Sequence, residues 1–137
     1  MNPLFVDTSA LYALFDADDR FHSAAAAAFA RLVPDETLLL TSSYVVLETL
    51  TLLQNRLGVG AVTKWKAAFQ GILEIVWIER PLHEEALTAL IAANKPAISL
   101  TDWVSFLIMR ERGLDTAFSF DRHFVQQGFR LLSPAPA

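Results

Sequence analysis

The chain has 137 residues, 53% of them hydrophobic, with a formal net charge of −4 and no cysteine. That length suits one domain around one core, and the absence of cysteine excludes a disulfide framework or a thiolate metal site. The negative balance excludes a polycation that holds nucleic acid through bulk charge. It leaves room for an enzyme in which metal ions or a local basic rim offset the phosphates.

The elements follow in chain order. Leu4–Val6 is an apolar run that stops on Asp7, and Ser9–Phe15 and Ser23–Leu32 read as helices. Ala24–Ala28 lies in the second of them, as suits a good helix former. Thr37–Thr41 is the next strand, followed by helices over Ser43–Leu57 and Ala61–Leu73, split by Gly58-Val59-Gly60. Ile75–Glu79 is a third strand. Leu82–Asn94 is a helix that repeats Leu82, Ala86, Ala89, Leu90 and Ala93 on one face. Pro81 suits its start, and Glu84 and Glu85 suit the positive end of its dipole. Leu100–Arg112 is a further helix, and Thr116–Phe120 and Phe129–Leu132 complete the strands. Short apolar strands without alternation, separated by helices, predict a parallel sheet with helices on both faces, one α/β domain. The domain is expected over residues 1–133, with 134–137 as a flexible tail.

No apolar run reaches the ~18–20 residues of a membrane span, and the N-terminus lacks the pattern of a signal peptide. A cytoplasmic protein away from the membrane is expected. The mean hydropathy of +0.35 is high for a small domain, so either most of it is well buried or some apolar surface meets a partner, and a homodimer is expected.

Four of the fifteen acids stand in unusual places. Asp7 and Asp121 follow apolar strands, Glu48 lies in the apolar helix SSYVVLETLTLL, and Asp102 is the only charge in AISLTDWVSFLIM. Charged carboxylates avoid such settings unless compensated. Each has an ordinary explanation. Asp7 and Asp121 suit helix caps, Asp102 suits a cap together with Thr101, and Glu48 suits an arginine partner. Taken together they suit one crevice beyond the carboxyl ends of the strands. Clustered carboxylates, with no cysteine and no histidine at a zinc spacing to any of them, call for a hard cation. Mg²⁺ or Mn²⁺ fits, and such sites handle phosphates.

The segments FVDTSALYAL, SSYVVLETL, ISLTDWVSFLIMRERGL and TAFSFDRHFVQQGFRLL resemble, in that order, the PIN domain, and most closely the VapC-type ribonuclease toxins of toxin–antitoxin pairs. The resemblance implies a four- or five-stranded parallel sheet with flanking helices and a metal-dependent endoribonuclease. Its metal-binding and catalytic acids match Asp7, Glu48, Asp102 and Asp121, and its hydroxyls match Thr8 and Ser119, which are expected to touch the substrate. It implies that Asp7, Glu48 and Asp102 hold Mg²⁺ or Mn²⁺, as one or two ions, and that Asp121 holds a second ion or orients the attacking water. It also implies RNA as substrate and a cognate antitoxin protein as partner.

Other residues carry weaker signals. Arg122 and His123 are candidates to touch a phosphate or a proton. His22 and His83 are expected at the surface, and Trp65, Trp77 and Trp103 in core or interface packing and not in stacking on a base. A haloacid-dehalogenase-like phosphatase would also place an acid after the first strand, but it needs a second one where Ser9 stands. A non-catalytic RNA- or antitoxin-binding module is the other alternative, and the complete set of acids argues against it.

Overall fold

The computed structural model of the chain describes residues 3–132. The expected tail over 134–137 lies outside them. β1 (Leu4–Val6) is three buried apolar residues. Asp7 then turns the chain into α1 (Thr8–Ala13), and α2 (His22–Leu32) buries Ala25 and Ala28 on one face. β2 (Leu39–Ser42), α3 (Ser43–Leu57), α4 (Val59–Phe69) and β3 (Leu73–Val76) follow. Then come α5 (Arg80–Ala93), α6 (Leu100–Glu111), β4 (Thr116–Phe118), α7 (His123–Gln126) and β5 (Arg130–Leu131).

The five strands form one parallel sheet in the order β3-β2-β1-β4-β5. The chain walks outward from β1 through β2 to β3, then crosses back to β4 on the other side of β1. With right-handed crossovers, that reversal sends the helices of the two legs to opposite faces. Strand order switches between β1 and β4, where sheets of this kind open a crevice at the carboxyl ends.

Several element boundaries differ from the sequence expectations, each for a local reason. Gly58, at φ 89°, ends α3 and begins α4 at once, so α4 starts at Val59 and not Ala61. It stops at Phe69 and not Leu73, because Gln70 leaves the helical region and Gly71 turns at φ 79° into β3. β3 therefore precedes the expected Ile75–Glu79 and ends at Val76, leaving Trp77 72% exposed and outside the core. β4 ends at Phe118 because side chains take the next amides: Ser9 Oγ accepts from Phe120 N–H at 2.9 Å and Ser119 Oγ from Asp121 N–H at 3.0 Å. The short turn α7 has no counterpart in the expected elements. His22 and His83 are half-buried and not on the surface. Nδ1 of His22 lies 2.7 Å from Ala13 O, and Nδ1 of His83 lies 2.5 Å from the Tyr44 hydroxyl.

The core beneath β1 and β4 is aromatic. Phe106 in α6 meets Phe124 in α7 edge-on, with centroids 5.0 Å apart, and Phe124 reaches Phe5 of β1. Phe106, Phe124 and Phe5 are all fully buried. Phe106 stands one turn after Asp102, and Phe124 three residues after Asp121. One aromatic contact therefore fixes the rotation of α6 and the height of the β4–α7 turn together.

Phe106→Ala should lower stability by about 3–5 kcal/mol, as for large-to-small changes in a closed core. Urea denaturation measures it, and a loss under ~1 kcal/mol would contradict the role given to this ring.

Candidate metal centre

Asp7 is the N-cap of α1, with extended backbone at φ −96°, ψ 162°. Its Oδ2 accepts from Ser9 N–H at 3.5 Å, from Ser9 Oγ at 2.9 Å and from Ser119 Oγ at 2.9 Å. Each serine has one hydroxyl proton and gives it to Asp7, so the 3.2 Å approach of Ser9 Oγ to Ser119 Oγ is a contact without a donor. Oδ1 of Asp7 takes no donor among the described residues. The ordinary capping explanation thus holds for one oxygen, and the other is left over.

Asp102 closes a capping box with Ser99, not with Thr101 as the sequence suggested. Its Oδ2 accepts from Ser99 N–H at 2.9 Å, and its own N–H donates to Ser99 Oγ at 3.1 Å. Ser99 stands three residues earlier, where the box geometry requires it, while Thr101 is already inside the helix. Asp121 Oδ1 accepts from His123 N–H at 2.9 Å. Nδ1 of His123 also lies 2.9 Å from that oxygen but outside hydrogen-bond alignment. Glu48 lies in α3, half-buried, and no arginine pairs with it within 4.0 Å among the described residues.

These four carboxylates, from four separate segments, line one cleft of about 360 Å³. Thr8 lines it as well. Ser119 stands behind Asp7. Arg122 is exposed at the start of α7 and does not line the cleft. The tightest group of ligating atoms, all within 4.8 Å of one another, belongs to Asp102, Asp121 and His123. This distribution differs from the expected trio of Asp7, Glu48 and Asp102. The β4–α7 turn carries Asp121 inward and brings His123 with it.

Burial pushes the Asp7 carboxyl up from 3.8 to about 6, and the nearby Asp102 charge adds to the rise. The Ser119 and Ser9 hydroxyls pull it down, and Asp121 pushes it up again. Glu48 is raised by burial and then by Asp7, and Asp102 by burial and then, against the pull of Ser99, by Asp121 and Glu48. The hydroxyls of Thr101 and Thr8 ease Glu48 from longer range. At hydrogen-bonding distance, however, Thr8 Oγ1 is buried with no partner among the described residues. Mutually repelling acids and an orphaned hydroxyl in one cleft form a donor set without its acceptor. Oxygen-only donors with at most one imidazole suit a hard divalent cation and its water. The residues therefore fit Mg²⁺ or Mn²⁺.

Ser9, which the sequence offers as a helix cap or as the position where a phosphatase would need an acid, instead holds the Asp7 carboxylate through its hydroxyl. The signal was present in the Asp-x-Ser spacing, which places a hydroxyl two residues after a capping acid.

The sequence matches the PIN domain family over residues 4–130. It is 33% identical over 132 residues to the 23S rRNA-specific endonuclease VapC20 of two Mycobacterium tuberculosis strains, covering 96% of this chain and 98% of the relative. The fold is similar to the crystal structure of M. tuberculosis VapC20, a sarcin–ricin loop cleaving toxin, with a TM-score of 0.79 and 31% identity over 92% of this chain and 95% of that one. PAE2754 of Pyrobaculum aerophilum shares the fold at a TM-score of 0.66 and 17% identity, over 96% and 90% of the two chains.

The raised Asp7 sets a pH dependence. Its folded value of about 6 exceeds the unfolded 3.8, a gap worth about 3 kcal/mol. That contribution is fully present below pH 3.8 and is lost as pH rises through about 6. Glu48 and Asp102 shift the same way. Metal-free protein should lose stability between about pH 4 and 7, and Asp7→Asn should flatten that slope and raise the neutral-pH stability by ~1–2 kcal/mol, the lost serine bonds offsetting part of the gain. Urea titration of EDTA-treated protein across this range measures it. A parent with no slope would show that Asp7 is not strained by burial.

Proposed function

The chain belongs to the PIN-domain family, in its VapC branch, and from that premise we propose that it is a metal-dependent endoribonuclease, the toxin of a toxin–antitoxin pair. The single observation that carries this reading is the convergence of Asp7, Glu48, Asp102 and Asp121 on one cleft at the β1/β4 switch point. The relative's substrate makes the sarcin–ricin loop of 23S rRNA the first RNA to test.

Asp7, Glu48, Asp102 and Asp121, with His123 at the edge of the set, would hold Mg²⁺ or Mn²⁺, as one or two ions. A bound divalent ion supplies Lewis-acid neutralisation of phosphoryl oxygens and makes water a competent nucleophile near neutral pH. The chain's own residues do the rest. Ser9 and Ser119 hold the Asp7 carboxylate in one rotamer through its Oδ2, leaving Oδ1 for work. The Ser99 box fixes Asp102 in the same way. Thr8 offers a buried hydroxyl that a water or a phosphate oxygen would satisfy. Burial and mutual repulsion raise Asp7, Glu48 and Asp102 in the metal-free cleft, and a bound cation would relieve that repulsion and hold all three ionised. No side chain in the cleft is placed as a nucleophile, and Ser9, which stands where a phosphatase of the haloacid-dehalogenase type needs its second acid, is committed to Asp7.

An antitoxin is proposed as the partner that blocks the cleft, by placing a basic side chain among the acids. A homodimer is proposed as well, supported by the largely exposed Leu47, Val59, Trp77 and Ile91. No helix of the described residues is long and apolar enough to cross a membrane, which is compatible with the cytoplasmic location proposed here.

Asp7→Asn, Glu48→Gln and Asp102→Asn should each slow cleavage of an RNA hairpin carrying that loop by roughly 100-fold or more, about 2.7 kcal/mol of transition-state stabilisation. Asp121→Asn tests whether the Asp102–Asp121–His123 set holds an essential ion: a loss as large as the others assigns Asp121 a direct ligand role, and a smaller one an outer role. EDTA should abolish cleavage and Mn²⁺ restore it. Metal-independent cleavage, or parental rates in Asp7→Asn, would refute the proposal.

A further inference from the structure

We propose that Arg56 is a phosphate-binding residue of the same cleft, gripping the backbone of the RNA strand at a nucleotide next to the one that is cut. This rests on the nuclease reading above and adds to it the contact that seats the strand.

The side chains lining the cleft include five carboxylates, Asp7, Asp19, Glu48, Asp102 and Asp121, and one cation, Arg56. Among these lining side chains a polyanion finds a positive charge only at this guanidinium; Arg20, 4.6 Å from the Phe21 ring centroid, stands beside the lining and not in it. Arg56 lies in the last turn of α3, eight residues beyond Glu48 on the same helix. That is about 12 Å of rise, too far for the two backbones to serve one phosphate. Side chains lean toward the helix N-terminus, so Arg56 reaches back toward the acids from the far end.

Its seat is prepared. The Arg56 guanidinium lies over the Tyr12 ring, 5.1 Å from the centroid. Tyr12 is buried, and its hydroxyl donates to Asp16 Oδ2 at 2.6 Å, which locks the ring. Among the described residues no carboxylate pairs with Arg56 within 4.0 Å, although five line the cleft. The guanidinium also pulls on the Tyr12 hydroxyl and on the nearby Asp16 charge, but with five N–H donors it keeps others for a phosphate in bidentate geometry. The folded protein has little need of this arrangement. An exposed cation–π contact contributes only ~0.5–1 kcal/mol, and so does a cation at a helix C-terminus. Arg56 is therefore removable without unfolding the chain.

The test uses a fluorescent RNA hairpin carrying the 23S rRNA sarcin–ricin loop, cleaved in Mn²⁺ at several salt concentrations by the parent, Arg56→Ala and Arg56→Lys. Binding of the same hairpin to Asp7→Asn, with and without Arg56→Ala, is measured separately. Arg56→Ala should raise KM and weaken binding by roughly tenfold or more, as expected for a lost charge-assisted phosphate contact. It should leave kcat within about twofold. The salt slope of log KM should fall by about 1. Arg56→Lys should recover part of the loss, keeping the charge without the fork. A thermal melt within a few degrees of the parent shows that Arg56→Ala is folded, and Arg56→Gln replaces it if it is not. A parent that cleaves while the neutral variant keeps its KM and salt slope overturns this inference and leaves the nuclease standing. A loss in kcat alone overturns it as well. A parent that neither binds nor cleaves the hairpin overturns the nuclease reading, and this inference with it.

Discussion

One oxygen atom holds the cleft together. Oδ2 of Asp7 takes the hydroxyl protons of Ser9 and Ser119, residues that follow β1 and β4. The same two serines accept the amides of Phe120 and Asp121. The acid after the first strand therefore dictates where the acid after the fourth one sits. Below this polar clasp, the Phe106–Phe124 contact sets α6 and α7, and with them Asp102 and Asp121. Loosening either layer would separate acids that share no bond with one another.

The arrangement is bought with stability. Burial and mutual repulsion raise Asp7, Glu48 and Asp102 above their usual range, and Thr8 keeps a buried hydroxyl unpaired. A chain selected for folding alone would replace such groups with apolar side chains. Local rules broken together at one place, inside a well-packed core, mark a working site more securely than any one of them does.

The sheet and the four acids were legible because their signals are local. Apolar runs bounded by helices predict parallel strands, and a lone carboxylate in an apolar run stands out in a single line of sequence. Where the runs end was harder to read. Ile72, Leu73, Ile75 and Val76 suit a helix as well as a strand, and only the positive φ at Gly71 decides between them. The contributions of Ser9 and His123 depend on the β1–β4 pairing, which brings together residues more than a hundred positions apart. Arg56 was illegible for another reason. An arginine near the end of a helix is commonplace, and only Tyr12, folded in beneath it, sets it apart.

The bond from Ser119 to Asp7 spans 112 residues, and it has a consequence in time. At a synthesis rate of about 5–20 residues per second, Asp7 waits roughly 6–22 s for its partner to be made. Until then the nascent chain holds at most Asp7, Glu48 and Asp102 without Asp121, and for most of the interval β1 lacks β4, the neighbour that positions half of the cleft. Contacts of such long sequence separation are also slow to form once the chain is complete. No assembled cleft therefore exists on a growing chain until β4 and the turn after it have been made.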